Sequence, residues 1–418
     1  MKVVVYPHDL ALGGSQLNAI ELAGAVQSTG NSAVIVGRPG ALVSRIRDLG
    51  LEFIEVPPPG RRPSPSIARF LARLVDDRGI DVIHGYEWPP TLEAVMASKL
   101  NPAVSVVSTV MSMAVAPFIP KTVPLIVGTE QIRAAEIGFG RSSVDTLEPP
   151  VDLTFNAPGL ELNREGFKAK WGIDDHRHTV VAVSRLAHEL KLEGLLSAMD
   201  GIAFVNETIP VRLVIVGDGP ARAVVRDRAH SINSQHGAGT IVLVGELDDP
   251  RVAYDIADVT LGMGGSALRA LAFNKPLIVQ GEQGFWKLLT PESLAGFLWT
   301  GWYGTGVAVD QGARALANIL SPLLLDAELR NRLGAFGRQT VEQRFSLEQA
   351  SIRQLDIYRA AMASKIDPTT ATFHEAAAGV RYASYYAAKR FRRAMGRERT
   401  DDFNARPVTQ TRMSGVSK

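Results

Sequence analysis

Short β-branched runs alternate with helix-patterned stretches along most of this sequence, and the alternation runs twice. The first pass places strands at Lys2–Tyr6, Ala33–Val36, Phe53–Val56, Val82–His84, Val104–Val110 and Val123–Val127. Helical spacing falls between them, at Gln16–Gln27, Leu42–Leu49, Ile67–Val75 and Thr91–Leu100. Strand followed by helix, repeated, predicts a doubly wound parallel sheet, because parallel neighbours need a crossover and a helix is the crossover that covers the sheet. The proline-rich Glu148-Pro149-Pro150-Val151-Asp152 interrupts the pattern and reads as a linker. The alternation then restarts, with strands at Val180–Val183, Val211–Val216, Ile241–Val244, Val259–Leu261 and Pro276–Val279. Helices are expected at Leu190–Met199, Ala221–Ser231, Val252–Ile256, Ser266–Phe273 and Ala313–Leu325.

A chain of 418 residues exceeds one core. The expected α/β architecture is two Rossmann-like domains, 1–150 and 151–345, facing across a cleft. Open α/β sheets bind ligands beyond the C-terminal ends of their strands. A net charge of +2 gives no overall attraction to nucleic acid, and the lack of cysteine excludes disulfides, thiolate metal sites and a Cys nucleophile. MKVVVYPHD has too short an apolar run for a signal peptide. No residue between Lys99 and Lys121 is charged, but Pro102, Pro117 and Pro120 interrupt the stretch, so it reads as a buried strand and a loop. A cytoplasmic location is expected.

The segment Val180–Gly194, VVAVSRLAHELKLEG, delivers Arg185 to a strand end with Lys191 six positions later. Arginine grips phosphate bidentately and lysine adds a point charge, so the pair suits a diphosphate. As surface cations they would instead pair with Glu189 or Glu193. Val216-Gly217-Asp218-Gly219-Pro220 and Gly262-Met263-Gly264-Gly265-Ser266 each follow a strand and open a helix. The second offers unpaired amides and a helix dipole to an anion; the first, taken alone, is an ordinary tight turn. Gly13-Gly14-Ser15 does likewise after the first strand. His84 and Glu87, in Ile83-His84-Gly85-Tyr86-Glu87, lie at a strand end where they face the cleft or serve the core. No His-x-x-x-His, Asp-x-Asp or Gly-x-Ser-x-Gly occurs, so no metal site or hydrolase elbow is expected.

Ser346–Ala363 is expected as a helix, with Ser346 and Gln349 spaced as a capping box. Beyond it, 366–418 forms a basic tail. Arg381, Lys389, Arg390, Arg392, Arg393, Arg397 and Arg399 are interleaved with Tyr382, Tyr385, Tyr386 and Phe391, and Glu398 is the only acid among them. This reads either as a solvated tail or as a basic interfacial helix held at an anionic membrane or partner.

Together these pieces resemble the retaining nucleotide-sugar glycosyltransferases of the GT-B fold, family 4 (glycosyltransferase group 1). The marks are Gly13-Gly14-Ser15, Ser184-Arg185-Leu186 with Lys191, Ile215–Pro220, Leu243-Val244-Gly245, Asp255–Val259 and Ala270–Pro276, in the family's order from about Lys2 to Tyr358. The resemblance implies a metal-independent transfer, with retention, from a nucleotide diphosphate-sugar to a saccharide, lipid or small-molecule acceptor, and no cofactor. It implies that Arg185 and Lys191 hold the diphosphate as the catalytic cations. Gly13, Gly14, Gly217, Gly262, Met263, Gly264, Gly265, Ser266 and Arg269 would bind the donor, with loop amides on the phosphates. The helix after Ser346 would cross back to the first domain. The family's paired glutamates fall here at Leu261 and Arg269, and its histidine after an N-domain strand falls near Met111 or Ser112. These two join His84 and Glu87 as acceptor-side candidates. The spare carboxylate is Glu282. Departure of a nucleotide diphosphate needs no protein nucleophile, since the cations and a helix N-terminus stabilise the developing charge. Two other readings stay open: a degenerate member that binds without turnover, and an epimerase- or phosphorylase-like enzyme on the same scaffold.

Overall fold

The computed structural model describes residues 1–364 and 368–396. The chain forms two compact units: Met1–Pro150 with the chain from Leu347 onward, and Val151–Ser346.

The first unit runs β1 (Lys2–Tyr6), α1 (Gly14–Ser28), β2 (Ser32–Gly37), α2 (Val43–Asp48), β3 (Glu52–Glu55), α3 (Pro65–Arg78), β4 (Val82–Tyr86), α4 (Trp88–Leu100), β5 (Ser105–Val110), β6 (Leu125–Val127), α5 (Glu130–Gly138) and β7 (Val144–Thr146). Its seven strands are all parallel, in the order β3-β2-β1-β4-β5-β6-β7. Covering both faces with helices explains why β4 is buried at every position. The uncharged stretch after Lys99 becomes β5 and the loop to β6. Among the described residues no helix is long and apolar enough to cross a membrane.

The second unit runs α6 (Arg164–Trp171), β8 (His178–Val183), α7 (Leu192–Asn206), β9 (Val211–Val216), α8 (Arg222–His236), β10 (Ile241–Gly245), α9 (Arg251–Asp255), β11 (Val259–Gly262), α10 (Gly265–Ala272), β12 (Leu277–Gln280), β13 (Trp286–Leu288), α11 (Pro291–Thr300), α12 (Gly312–Leu325) and α13 (Ala327–Arg344). The sheet order is β10-β9-β8-β11-β12-β13, and β13 alone is antiparallel. The chain order reverses at β8, with β9 on one side and β11 on the other. That is the switch point at which open α/β sheets leave a crevice.

Alternation predicted the parallel strands, but not α5, β7, α6, β13, α11 or α13. Several of these missed helices carry local stop and start signals. Thr129, Asn163, Thr290 and Asp326 each accept a first-turn amide as N-caps of α5, α6, α11 and α13.

After Ser346 the chain returns to the first unit. α14 (Leu347–Ala363) lies against α1, and its Leu355, Ile357 and Tyr358 join the core formed with Val3, Ile20 and Ile35. α15 (Pro368–Ala394) follows. It is no solvated tail: Tyr382 and Tyr385 pack on the cluster containing Phe118, and the Tyr382 hydroxyl donates to the Arg62 carbonyl at 2.6 Å. Of the expected basic run, Arg397, Glu398 and Arg399 lie outside the described residues.

Candidate functional site

Three neighbouring strands of the second unit send their C-terminal loops to one end of the sheet. Registers Val183↔Val216 and Leu261↔Ala182 place the ends of β9, β8 and β11 side by side, at the roughly 4.8 Å spacing of paired strands. The β8–α7 loop carries Arg185 and Lys191, the β9–α8 loop carries Gly217 and Gly219, and the β11–α10 loop carries Gly262–Ser266.

Gly217 sits at φ 139° and Gly219 at φ 157°, values that favour glycine. A Cβ on Gly217 would collide with the Ser184 carbonyl, and one on Gly219 would stand 2.5 Å from the Leu186 carbonyl. The Leu186 amide donates to the Asp218 carbonyl and the Ala221 amide to the Leu186 carbonyl. The glycine turn is therefore the wall against which the Arg185 loop is set, a stronger role than the ordinary turn that the residues alone supported.

Arg185 is exposed and Lys191 half-buried. Among the described residues neither has an ion-pair partner, so they do not pair with Glu189 or Glu193. Glu193 instead accepts the amides of Gln283 at 3.0 Å and Gly284 at 2.7 Å. Burial lowers the Lys191 ammonium to about 8. An ammonium kept partly desolvated, without a carboxylate, is a group whose charged form a nearby anion would stabilise.

The β11–α10 loop corrects one expectation. Gly264, at φ 54° and ψ −132°, caps α10, and its amide donates to the Trp302 carbonyl at 3.1 Å. The Met263 amide donates to Ser266 Oγ at 3.3 Å, and that hydroxyl donates back to the Met263 carbonyl. These two amides hold the loop's own shape. Gly265 and Ser266, in the first turn of α10, are the positions whose amides have no intrahelical acceptor and are free in principle to face an anion on the helix axis. Arg269 is half-buried, its Nη1 4.0 Å from where a Cβ of Gly265 would lie, so it stands over that first turn. Leu261 is buried in the core beside Val180 and Ile278, where no ligand reaches it.

Sequence reasoning missed the strap that ties these loops together. The Tyr303 hydroxyl donates to Glu282 at 2.5 Å, and the Glu282 amide to the Gly304 carbonyl at 3.0 Å. Gln280 reaches the Lys191 carbonyl at 3.2 Å. Residues 280–306 thus join the Lys191 segment to the Gly264 loop through Trp302. The signal was the glycine density, Gly281, Gly284, Gly301, Gly304 and Gly306, which marks close backbone packing.

In the first unit the switch point lies between β1 and β4. His84 does not face a ligand there. It is fully buried, with Nδ1 2.8 Å from the Tyr358 hydroxyl and Nε2 2.6 Å from Thr109 Oγ1, and burial lowers its pKa to about 3. It is a core residue tying α14 to the sheet. Glu87 differs. At φ 67° and ψ 175° it occupies a region otherwise left to glycine. Its buried carboxylate accepts the Met111 amide at 2.9 Å, the Ser112 amide at 3.2 Å and the Ser112 hydroxyl at 2.9 Å. Burial raises its pKa, while the nearby His8 lowers it. Glu87 thus sets the Met111–Ser112 loop. Gly13 caps α1 beside it, where Gln16 bridges His8 at 3.1 Å and Asp9 at 2.7 Å. Gly13 and Gly14 therefore belong to the first unit's strand ends, and the second-unit loops form separately.

Residues 163–340 match the family Glycosyl transferases group 1. That span lies within the second unit and holds every residue of the three loops, in line with the resemblance seen in the sequence. The chain is also similar to a curated relative. Alpha-monoglucosyldiacylglycerol synthase of Streptococcus pneumoniae is 26% identical over 137 residues, which are 31% of this chain. The match spans 30% of that relative's length. Solved structures extend the likeness of fold to both units. A glycosyltransferase from Rickettsia africae superposes with a TM-score of 0.70 at 16% identity, covering 87% of this chain and 99% of that one. Anabaena HepE in complex with UDP gives 0.67 at 14%, covering 86% and 100%. The fold is GT-B: two Rossmann-like units, the first a parallel sheet and the second a parallel sheet with one antiparallel edge strand, with α14 returning to the first.

Proposed function

We propose that the protein is a retaining glycosyltransferase that moves a sugar from a nucleotide diphosphate-sugar to an acceptor, without metal or cofactor. One observation carries the reading: Arg185, Lys191 and the first turn of α10 share one end of the β9-β8-β11 strands, and neither cation has a carboxylate partner among the described residues. Positive charge fixed there stabilises the β-phosphate as the glycosidic bond breaks. Such preorganised groups are worth about 3–4 kcal/mol each. They supply the charge that a metal supplies elsewhere, and addition of a chelator should leave turnover unchanged. Crystals of Anabaena HepE hold UDP, with or without glucose, and UDP-glucose, which supports a uridine donor here. Glu87 with Met111 and Ser112 would shape the acceptor side. The basic helix α15 would bring the protein to an anionic membrane on its cytoplasmic face.

Calorimetric titration with UDP tests the site. Arg185→Ala should weaken binding at least tenfold, and unchanged affinity would remove the assignment. A second reading, binding without turnover, is favoured by Leu261 in the core and Arg269 over the α10 turn, where the family has glutamates. Hydrolysis of UDP-glucose followed by phosphorus NMR separates the two: slow turnover lost in Arg185→Ala excludes it.

A further inference from the structure

α15 has two apolar faces, and the first unit uses only one. The inner face carries Ala378, which is buried, and Tyr382, Tyr385 and Tyr386, which meet Trp88 and Phe118 edge-on or tilted at 5.3–6.4 Å between ring centroids. Polar ties fix its rotation: Arg381 Nε to the Pro117 carbonyl at 2.7 Å, Tyr382 to the Arg62 carbonyl, and Glu375 to Lys99 at 2.8 Å. At about 100° per residue, Phe373, Val380 and Phe391 fall within about 20° of one line on the opposite side, with Met395 close to it. They are 70%, 67%, 66% and 54% exposed. Between them lie Ala377, Ser384, Ala387 and Ala388, all small. Arg390 and Arg392 stand about 100° to either side of the line. From Ala376 to Gly396 there are five cations, Arg381, Lys389, Arg390, Arg392 and Arg393, and no acid.

We infer that this outward ridge is an insertion surface, by which α15 lies in the headgroup layer of an anionic lipid membrane and buries Phe373, Val380, Phe391 and Met395 among the acyl chains. The inference rests on the membrane reading above and names the residues that penetrate. A ridge of large apolar side chains flanked by arginines is the pattern of a helix lying in the interface plane, its cations on the lipid phosphates. The charge also selects the occupant. A second copy packed on the same face would bring its own Arg390 and Arg392 against this flanking pair, whereas an anionic lipid surface neutralises them. The inner-face contacts turn the ridge outward before any membrane is met, so binding needs no rearrangement of the first unit.

The absence of cysteine makes a site-specific test direct. Val380→Cys, labelled with an environment-sensitive fluorophore, is mixed with vesicles of phosphatidylglycerol and phosphatidylcholine, or of phosphatidylcholine alone. The expected result is a blue shift with the anionic vesicles only. In sedimentation, Phe373→Ser/Val380→Ser/Phe391→Ser in the full chain should bind anionic vesicles at least tenfold more weakly than the unsubstituted protein, with unchanged circular dichroism and UDP affinity. Three results would overturn the inference: no blue shift, undiminished vesicle binding by the ridge variant, or a ridge variant that changes oligomeric state and not vesicle binding. Arg390→Gln/Arg392→Gln/Arg393→Gln separates the two readings. If it abolishes binding while the label at 380 never shifts, electrostatic attraction stands and insertion falls. UDP affinity, measured in parallel, reports the donor site independently.

Discussion

Gly217 is pressed against the carbonyl oxygen of Ser184, the residue that precedes Arg185, and at φ 139° it has no room for a Cβ. Gly217→Ala should therefore displace the β8–α7 loop as well as strain the backbone, at about 1–3 kcal/mol for the backbone conformation alone. Gly237→Ala is the control, since Gly237 has φ 99° with open space around its would-be Cβ. Thermal unfolding should fall in both, whereas calorimetry should show UDP affinity lost in Gly217→Ala only.

Lys191 introduces a pH dependence with a definite sign. Its lowered pKa of about 8 means that the ammonium is present below that pH and lost above it. A bound diphosphate favours the charged form, so affinity should be greatest below pH 8. It should weaken as pH rises through 8, by up to tenfold per unit. Lys191→Met should bind more weakly at pH 7 and lose this dependence between pH 7 and 9. Titrations with UDP across that range check it.

His84 predicts an acid-sensitive first unit. Its folded-state pKa, about 3, lies below the ordinary 6.5, so below pH 6.5 the unfolded chain binds the extra proton and stability falls as pH falls. The slope approaches about 1.4 kcal/mol per pH unit and persists down to about pH 3. Comparing thermal unfolding at pH 7 and 5, His84→Gln should lose less stability than the unsubstituted chain, whatever its starting value.

Glu87 holds the Met111–Ser112 loop through three hydrogen bonds, so its truncation should free that loop. Glu87→Ala leaves the buried Ser112 amide and the half-buried Met111 amide without an acceptor, the buried one at about 1–3 kcal/mol. Amide hydrogen exchange at Met111 and Ser112 should accelerate in Glu87→Ala. Glu87→Gln keeps one acceptor oxygen and should change exchange far less. If Glu87 shapes the acceptor side, KM for the acceptor should rise in Glu87→Ala while UDP affinity holds.

What sequence alone determined here was local. The alternation of strand and helix patterns specified the parallel strands other than β7, because a strand buried on both faces is a near-continuous apolar run, as Val211–Val216 is apart from Arg212. The spacing of Arg185, Lys191 and the two glycine loops survives folding, because all three follow neighbouring strands. Tertiary structure decided the rest. His84 looked the same as a ligand-facing residue until Tyr358, from α14, closed over it. Gly264 looked like an anion-binding amide until Trp302, 38 positions later, took its hydrogen bond. The tyrosines of α15 and its phenylalanines share one basic, aromatic string, and only packing against Trp88 and Phe118 sends one set inward and the other out. In each case the partner is distant in the chain, and a buried donor, acceptor or apolar face takes its role from what it meets in space.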